Sequence, residues 1–187
     1  MAQGFGFPLL LRTPGFHTGR HFVRVEGAGD LAAAAAGLPG KSLVAIEFLD
    51  AGASDGKVRK YRVMMIDGRL YPLHLAVATQ WKVHYFTADM EASDANRAEE
   101  AAFLANMDSV LGPRAIAALQ ETQRILGLDY AGIDFGLGPR GEILLFEANA
   151  TMVVNPPPPD ARAAYRRVPV ERILAAVGAM LMRRRRR

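Results

Sequence analysis

Residues 130–149 have the sequence Tyr-Ala-Gly-Ile-Asp-Phe-Gly-Leu-Gly-Pro-Arg-Gly-Glu-Ile-Leu-Leu-Phe-Glu-Ala-Asn, and this stretch decides the predicted fold. Two apolar runs, Tyr130–Phe135 and Glu142–Phe146, flank the turn-forming segment Gly138–Gly141. Apolar, β-favouring runs on either side of a turn that contains Gly and Pro are typical of a hairpin. We therefore predict two antiparallel strands here.

Three oxygen-bearing side chains are expected to meet on this hairpin. Alternate residues of a strand share a face, so Glu147 and Asn149 lie together, with Asp134 within reach on the neighbouring strand. Two carboxylates and an amide oxygen suit a hard cation such as Mg²⁺ or Mn²⁺. The alternative is that Asp134 and Glu147 are ordinary polar residues at strand ends. Their apolar neighbours favour the metal, because unpaired carboxylates in buried strands are costly.

A second hairpin is predicted around Asp67-Gly68, which lies between Tyr61–Ile66 and Leu70–Ala76. Further strands are predicted at Phe7–Arg12, Phe22–Val25 and Ser42–Leu49, and helices at Leu31–Ala36 with Asp30 as N-cap, Ala95–Leu111, Arg114–Leu126 and Val170–Met182. Strands grouped into hairpins, with helices between them, indicate the α+β class with a largely antiparallel sheet and packed helices.

The composition excludes several classes of protein. The 187 residues include no Cys, which excludes a disulfide scaffold, a Cys-ligated metal site and thiol catalysis. No apolar run approaches the roughly 18–20 residues that span a bilayer, and Met1–Phe7 lacks the pattern of a signal peptide. We therefore expect a cytoplasmic enzyme or binding domain without a membrane span.

The net charge of +4, from 23 basic and 19 acidic residues, comes from the C-terminal end. Arg183–Arg187 supply five positive charges, so the remainder carries 18 minus 19, or −1. A run of like charges is typically a solvated, disordered tail, and we do not expect this one to bind nucleic acid. We predict one nucleotide-binding domain over 1–154, a Pro-rich connector and C-terminal helix over 155–182, and an Arg tail over 183–187.

The pattern of Asp134 on one strand and Glu147-Ala-Asn149 on the next is similar to the metal-ligand motif of the ATP-grasp superfamily. The resemblance runs from about Phe7 to Met152, and is to the ribosomal-protein glutamate ligase-like and tetratricopeptide-associated ATP-grasp proteins. It implies an ATP-grasp-like fold, with ATP and Mg²⁺ (or Mn²⁺) as cofactors. It also implies, for an active enzyme, a carboxylate–amine or carboxylate–thiol ligase that acts through an acyl phosphate.

The same resemblance assigns phosphate contacts near the N-terminus. Arg12 ends a strand whose terminal basic residue, usually Lys in the family, contacts the α- and β-phosphates. The loop Gly15–Arg20 matches the flexible loop that closes over the triphosphate, where Thr18 and the backbone amides donate hydrogen bonds and Arg20 or His17 adds charge.

The hinge that holds adenine in the family resembles the segment that ends in Glu47, Phe48 and Leu49. A carboxylate there accepts from the exocyclic amine of adenine or from the ribose hydroxyls, which is the role implied for Glu47. Phe48 and Leu49 would supply backbone groups and apolar contact. An edge-strand Glu without such a role is the alternative.

The segment Arg59–Val63 resembles the family strand whose Arg lies near the transferred phosphoryl group, and Arg62 takes that position. Branches related to the ribosomal-protein glutamate ligase carry an Asp for the ribose two residues earlier. This chain has Lys60 there, and Asp50 or Asp55 are the alternatives for the ribose contact.

Two histidines are candidates for an acceptor pocket. The segments around His74 and His84 resemble those of a subgroup of ATP-grasp proteins. A substrate role for His74 or His84 stands beside the alternative of hydrogen-bonded structural histidines.

The resemblance lacks the family's N-terminal substrate domain and the small subdomain with a further phosphate-binding Lys. A partner chain or a homodimer would supply these parts, or the sequence is a piece of a longer protein. The rival function is a non-catalytic ATP-grasp remnant that serves as a nucleotide- or protein-binding module.

Overall fold

The computed structural model describes residues 4–16, 19–85, 88–157, 159 and 161–185. The chain divides into two compact units, residues 1–50 and 51–187. The predicted phosphate contacts Thr18 and His17 lie outside the described residues.

The first unit contains a small antiparallel sheet. Its strands are β1 (Leu9–Arg12), β2 (Phe22–Val25) and β3 (Val44–Glu47), in the order β2-β1-β3. Helix α1 (Leu31–Ala36) packs on it around a core that includes Leu9, Leu11, Val25 and Leu38.

Capping of α1 by Asp30 is not observed. Asp30 lies in a short 3-10 turn, Ala28–Asp30, that runs directly into α1. Because its backbone is already helical, at φ −88° and ψ −15°, its side chain makes no capping hydrogen bond. The helix therefore begins by continuation of the preceding turn.

The second unit is built on a four-stranded antiparallel sheet. Its strands are β4 (Val58–Ile66), β5 (Arg69–Ala78), β6 (Tyr130–Leu137) and β7 (Ile143–Asn149), in the order β5-β4-β6-β7. Both predicted hairpins are confirmed, and so is the α+β class with a largely antiparallel sheet.

The turn between β4 and β5 has the geometry that its sequence demands. Asp67 and Gly68 both have positive φ, at 47° and 82°. Two such residues make a tight turn whose twist matches that of the paired strands, and Asp-Gly adopts it readily.

The helices of the second unit differ from the predicted ones at one break. Helix α2 spans Asp94–Ala105 and α3 spans Met107–Leu126, so the single helix predicted over Ala95–Leu111 is wrong. Asn106 breaks it with φ −148° and ψ 75°, and its side chain accepts a hydrogen bond from the Ser109 amide to start α3. The predicted interruption at Gly112 is also present, as a non-helical residue within α3.

Both faces of the larger sheet are packed, but by different helices. One face contributes Val63, Met65, Ile133 and Phe135 to a core with residues of α2 and α3. On the other face, α4 (Arg167–Arg184) packs Val170, Ile173 and Met180 against Met64, Ile66 and Leu73. That helix covers only part of its face, and the part around Lys60 and Arg62 carries polar side chains.

The first two arginines of the predicted tail belong to α4. Arg183 donates to Asp67 in the β4–β5 turn, and Arg184 donates to Asp129 just before β6. These two residues are therefore helical and paired with carboxylates, where the charge run alone predicts a disordered tail, although their side chains stay exposed to solvent. Among the described residues, no helix combines the length and apolar character needed to cross a membrane.

Candidate functional site

Four polar side chains lie in one row across the sheet of the second unit. His74 on β5 is opposite Arg62 on β4, Arg62 is opposite Asp134 on β6, and Asp134 is opposite Glu147 on β7. Directly paired residues of antiparallel strands present their side chains on the same face. The register therefore brings together four of the predicted site residues from four different strands.

Asp134 is buried at the centre of this row and is held by two cations. Arg62 Nε donates to its Oδ1 at 2.5 Å and a second guanidinium nitrogen donates to its Oδ2 at 2.7 Å, while Lys60 Nζ lies 3.2 Å from Oδ2. Burial by itself raises the pKa of Asp134, but the Arg62 hydrogen bonds and the Lys60 charge outweigh it and leave the pKa below its ordinary value. Asp134 is therefore ionised at neutral pH.

Glu147 and Asn149 lie beside Asp134 at the end of β7. Asn149 is paired with Gly132, and its Nδ2 donates to Glu147 Oε1 at 3.2 Å. Its Oδ1 accepts from the Thr151 amide at 2.7 Å. The exposed Glu147 carboxylate forms no ion pair within the described part of the chain.

The donor set fits a hard divalent cation in its chemistry, since it offers two carboxylates and an amide oxygen. Asp134 and Glu147 are directly opposite each other, with an amide oxygen two residues further along β7. Among the described residues, no three His, Cys, Asp or Glu side chains are placed so that they could hold a metal ion together, so a third protein ligand here would have to be the Asn149 amide. Mg²⁺ tolerates few protein ligands, because water and phosphate oxygens complete its octahedron.

His74 is a buried histidine with an unused nitrogen. Its Nδ1 has no hydrogen-bond partner in the described structure, and its ring lies 4.5 Å from that of Tyr85. Burial, with Arg62 adding to it, holds the pKa of His74 well below its ordinary value. The ring is therefore neutral at neutral pH and offers one donor and one acceptor. Burial and the charges of Lys60 and Arg62 likewise lower the pKa of His84.

A buried glutamate next to this row escaped the sequence analysis. Glu100 on α2 accepts from the Leu75 amide at 3.3 Å and from the Tyr85 hydroxyl at 3.4 Å, and Tyr165 also donates to it. The Arg166 Nε lies 3.4 Å from Glu100 Oε1, and the Arg166 guanidinium lies over the Tyr85 ring. Burial raises the pKa of Glu100 despite these partners.

The helical period could have revealed this residue. Asn96, Glu100 and Phe103 recur at the spacing of one helix face, and all three are buried. A carboxylate on the apolar face of a helix requires partners, so the spacing alone indicates a buried polar network.

The first unit places its candidates around one loop and one strand end. The Arg12 guanidinium donates to the Phe16 carbonyl at 2.5 Å, and the Arg20 guanidinium lies over the Phe16 ring. The loop that contains Phe16 is thus held by both predicted phosphate-binding arginines. Glu47 ends β3 with an exposed side chain, and the Phe48 ring lies 4.2 Å from the Arg24 guanidinium. Leu49 follows directly.

No family model and no curated protein matches this sequence. Among solved structures, D-Ala-D-Ala ligase from Helicobacter pylori superposes over 96% of this chain and 50% of its own, with a TM-score of 0.52 and 14% identity. The fold is ATP-grasp-like.

Two further solved structures are similar with lower scores. One is biotin carboxylase from Campylobacter jejuni in a β,γ-ATP complex, with a TM-score of 0.47 and 12% identity over 92% of this chain and 37% of that one. The other is carboxyaminoimidazole ribonucleotide synthase from Aspergillus clavatus complexed with ATP, with a TM-score of 0.45 and 16% identity over 80% of this chain and 35% of that one. This chain spans half or less of the length of each of the three enzymes.

Proposed function

We propose that this chain binds ATP together with Mg²⁺ or Mn²⁺, using Asp134, Glu147 and Asn149 as metal ligands and Arg62 as a contact to the transferred phosphoryl group. The observation that carries the proposal is the row in which Arg62, Asp134 and Glu147 are paired across three strands. An ionised carboxylate, a second carboxylate and a guanidinium on one sheet face form a site for a polyphosphate and its cation.

The candidate nucleotide contacts in residues 1–50 are proposed from their motifs alone. We propose that Arg12, Thr18 and Arg20 contact phosphate oxygens. We propose further that Glu47, Phe48 and Leu49 contact adenine, with the nucleotide-binding domain extending over 1–154.

In this proposal the residues around Asp134 hold positive charges in place beside the phosphates of the nucleotide. The bound cation would neutralise the charge that develops on the phosphates. Arg62 would hold a phosphoryl oxygen with up to two hydrogen bonds, and Asp134 would keep the guanidinium oriented between turnovers. A neutral His74 adds no competing positive charge, and its free Nδ1 can form a hydrogen bond with a substrate group.

The reaction that fits this arrangement is phosphorylation of a carboxylate by ATP, followed by attack of an amine or a thiol on the acyl phosphate. Positioning and charge neutralisation are the main contributions that a protein makes to such a transfer. We propose a ligase similar to the ribosomal-protein glutamate ligase-like and tetratricopeptide-associated proteins. A partner chain, a second copy or a further part of the same protein would supply the carboxylate-binding region.

Calorimetric titration with a non-hydrolysable ATP analogue tests the proposal. We expect wild-type protein to bind the analogue only with Mg²⁺, and Glu147→Ala to weaken this binding by at least about tenfold, since a charged metal ligand is lost. Glu121→Ala, which removes an exposed carboxylate on α3, is the matched control and should bind as wild type does. Equal affinity of the wild type and Glu147→Ala would overturn the metal assignment.

ATP turnover with candidate amino acids then separates the two functions. Release of phosphate that depends on a particular carboxylate and amine supports the ligase. Magnesium-dependent binding without turnover on any substrate would identify the chain as a nucleotide-binding module.

A further inference from the structure

Both oxygens of the Asp134 carboxylate are already occupied by positive charge. Oδ1 accepts from Arg62, and Oδ2 lies within 3.2 Å of both Arg62 and Lys60 nitrogens. Lys60 and Arg62 are two residues apart on β4, so their side chains leave the strand on the same face. Asp134 is buried, and its carboxylate faces these two cations.

A divalent cation would compete with these two side chains for the same oxygens. Bringing it to Asp134 places it within a few ångströms of two positive charges, in a partly buried site where screening by water is weak. Glu147 is the nearby carboxylate that carries no ion pair among the described residues, and one exposed carboxylate binds Mg²⁺ weakly. Without a nucleotide, Lys60 and Arg62 therefore stay paired with Asp134, and the metal does not displace them.

We infer that Lys60 and Arg62 form a cation lock that keeps divalent metal off Asp134 in the nucleotide-free chain, and that the polyphosphate of the nucleotide opens this lock. The inference rests on the proposed function and adds to it the order in which the metal and the nucleotide bind. Triphosphate oxygens bind guanidinium and ammonium groups strongly, so they draw Lys60 and Arg62 away from Asp134. The metal then enters together with the nucleotide and not before it.

Lys60 adds a second positive charge to the lock. Its side chain is mostly buried, and its ammonium group lies 3.2 Å from Asp134 Oδ2. It therefore opposes metal binding at Asp134 together with Arg62.

The test is a titration of the nucleotide-free protein with Mn²⁺ alone. Calorimetry measures the heat of binding, and the electron paramagnetic resonance signal of unbound Mn²⁺ measures how much metal stays free. We expect nucleotide-free wild type to bind Mn²⁺ at least about tenfold more weakly than the Lys60→Gln/Arg62→Gln double variant, since two neighbouring positive charges are removed. Adding Asp134→Asn to the double variant should abolish the gain.

Arg69→Gln is the matched control. Arg69 begins β5 beside the β4–β5 turn, with an exposed side chain that forms no ion pair among the described residues. Its removal changes the net charge as Lys60→Gln does, uncovers no carboxylate and should leave Mn²⁺ affinity unchanged. A similar gain in Arg69→Gln would show a general charge effect and overturn the lock.

The single variant Lys60→Gln covers the case in which the double variant fails to fold. It keeps the Arg62 hydrogen bonds to Asp134, and we expect a smaller gain in Mn²⁺ affinity. Wild type that binds Mn²⁺ alone as tightly as the folded variants overturns the lock, while magnesium-dependent analogue binding keeps the proposed function. Absence of analogue binding by wild type at any metal concentration would overturn both.

Discussion

His74 and Asp134 lie on the same face of the sheet, separated by Arg62, and both have lowered pKa values for different reasons. Burial excludes the charged form of His74, whereas the cations beside Asp134 favour its charged form. One neutral ring and one ionised carboxylate thus remain fixed through the neutral pH range. Perturbed groups of this kind cluster at functional sites, which supports the assignment of the row.

The buried His74 predicts an acid sensitivity of the fold. Its folded pKa lies below the ordinary value of about 6.5, so the unfolded chain binds more protons as the pH falls through 6.5 and folding loses free energy. Between pH 7 and 5 we expect wild type to lose about 1–2 kcal/mol more stability than His74→Gln. Urea unfolding at the two pH values measures this difference.

The other charged groups around His74 are the same in wild type and in His74→Gln, so they do not cause the expected difference. Lys60, Arg62, Asp134 and Arg166 contribute their charges in wild type and variant alike, and so does Glu100. The raised pKa of Glu100 has the opposite effect on stability in acid. Equal pH dependence of the two proteins would show that His74 is not buried in its neutral form.

Gly132 lies so close to neighbouring side chains that a larger residue would collide with them. A Cβ at this position would lie 2.6 Å from Met152 Cγ and 2.9 Å from Met64 Sδ. We expect Gly132→Ala to destabilise the fold by about 1–3 kcal/mol through overpacking. Gly178→Ala is the control, because nothing lies within 4 Å of the added carbon on α4. It should raise stability by about 0.5–1 kcal/mol, and thermal melts distinguish the two.

At the scale of the elements, the break between α2 and α3 shows how one side chain competes with a helix. Asn106 ends α2 and also caps α3 by accepting from the Ser109 amide at 3.2 Å. Asn favours such positions because its side chain replaces a hydrogen bond that the backbone loses. Apolar periodicity continues across the break, which is why periodicity alone predicts one helix here.

The cap predicts the effect of a substitution. Asn106→Ala removes the acceptor of the Ser109 amide and should cost about 0.5–2 kcal/mol of stability. Asn106→Asp keeps an acceptor at the helix start and should remain close to wild type. Chemical denaturation of the three proteins measures this, and a loss in Asn106→Asp equal to that in Asn106→Ala would contradict the capping role.

At the scale of the molecule, two kinds of ion pair connect distant parts of the second unit. Glu100 joins α2 to β5 and to the segment before α4 through a buried network with Tyr165 and Arg166. Arg183 joins the end of α4 to Asp67 at the surface. A buried charge that loses its partner is costly, whereas an exposed pair is largely compensated by water.

These environments predict very different losses. Glu100→Ala leaves the Arg166 charge buried without its partner and should cost about 3–5 kcal/mol. Arg183→Ala removes an exposed pair and should stay within about 1 kcal/mol of wild type. Urea unfolding at low and high salt compares them, with salt reducing only the Arg183 contribution. Similar losses for both variants would contradict the difference in burial.

The sequence by itself determined the features that depend on neighbouring residues. Asp67-Gly68 requires a tight turn, and the segment around Gly138 requires a second one, so both hairpins and the α+β class were predictable. The turn does not by itself place Asp134 opposite Glu147. It sets the register that pairs Phe135 with Leu145, which would pair Asp134 with Phe146, and an irregularity next to Phe135 shifts the register so that Glu147 lies opposite Asp134.

The tertiary structure alone decided what surrounds those residues. Arg62 and Lys60 reach Asp134 across more than 70 positions because β4, which pairs with β5 along one edge, pairs with β6 along the other. Tyr165 reaches Glu100 across 65 positions because the segment before α4 packs beside α2. Strand order and packing between distant segments depend on the whole chain, and no local pattern around Asp134 or Glu100 contains them.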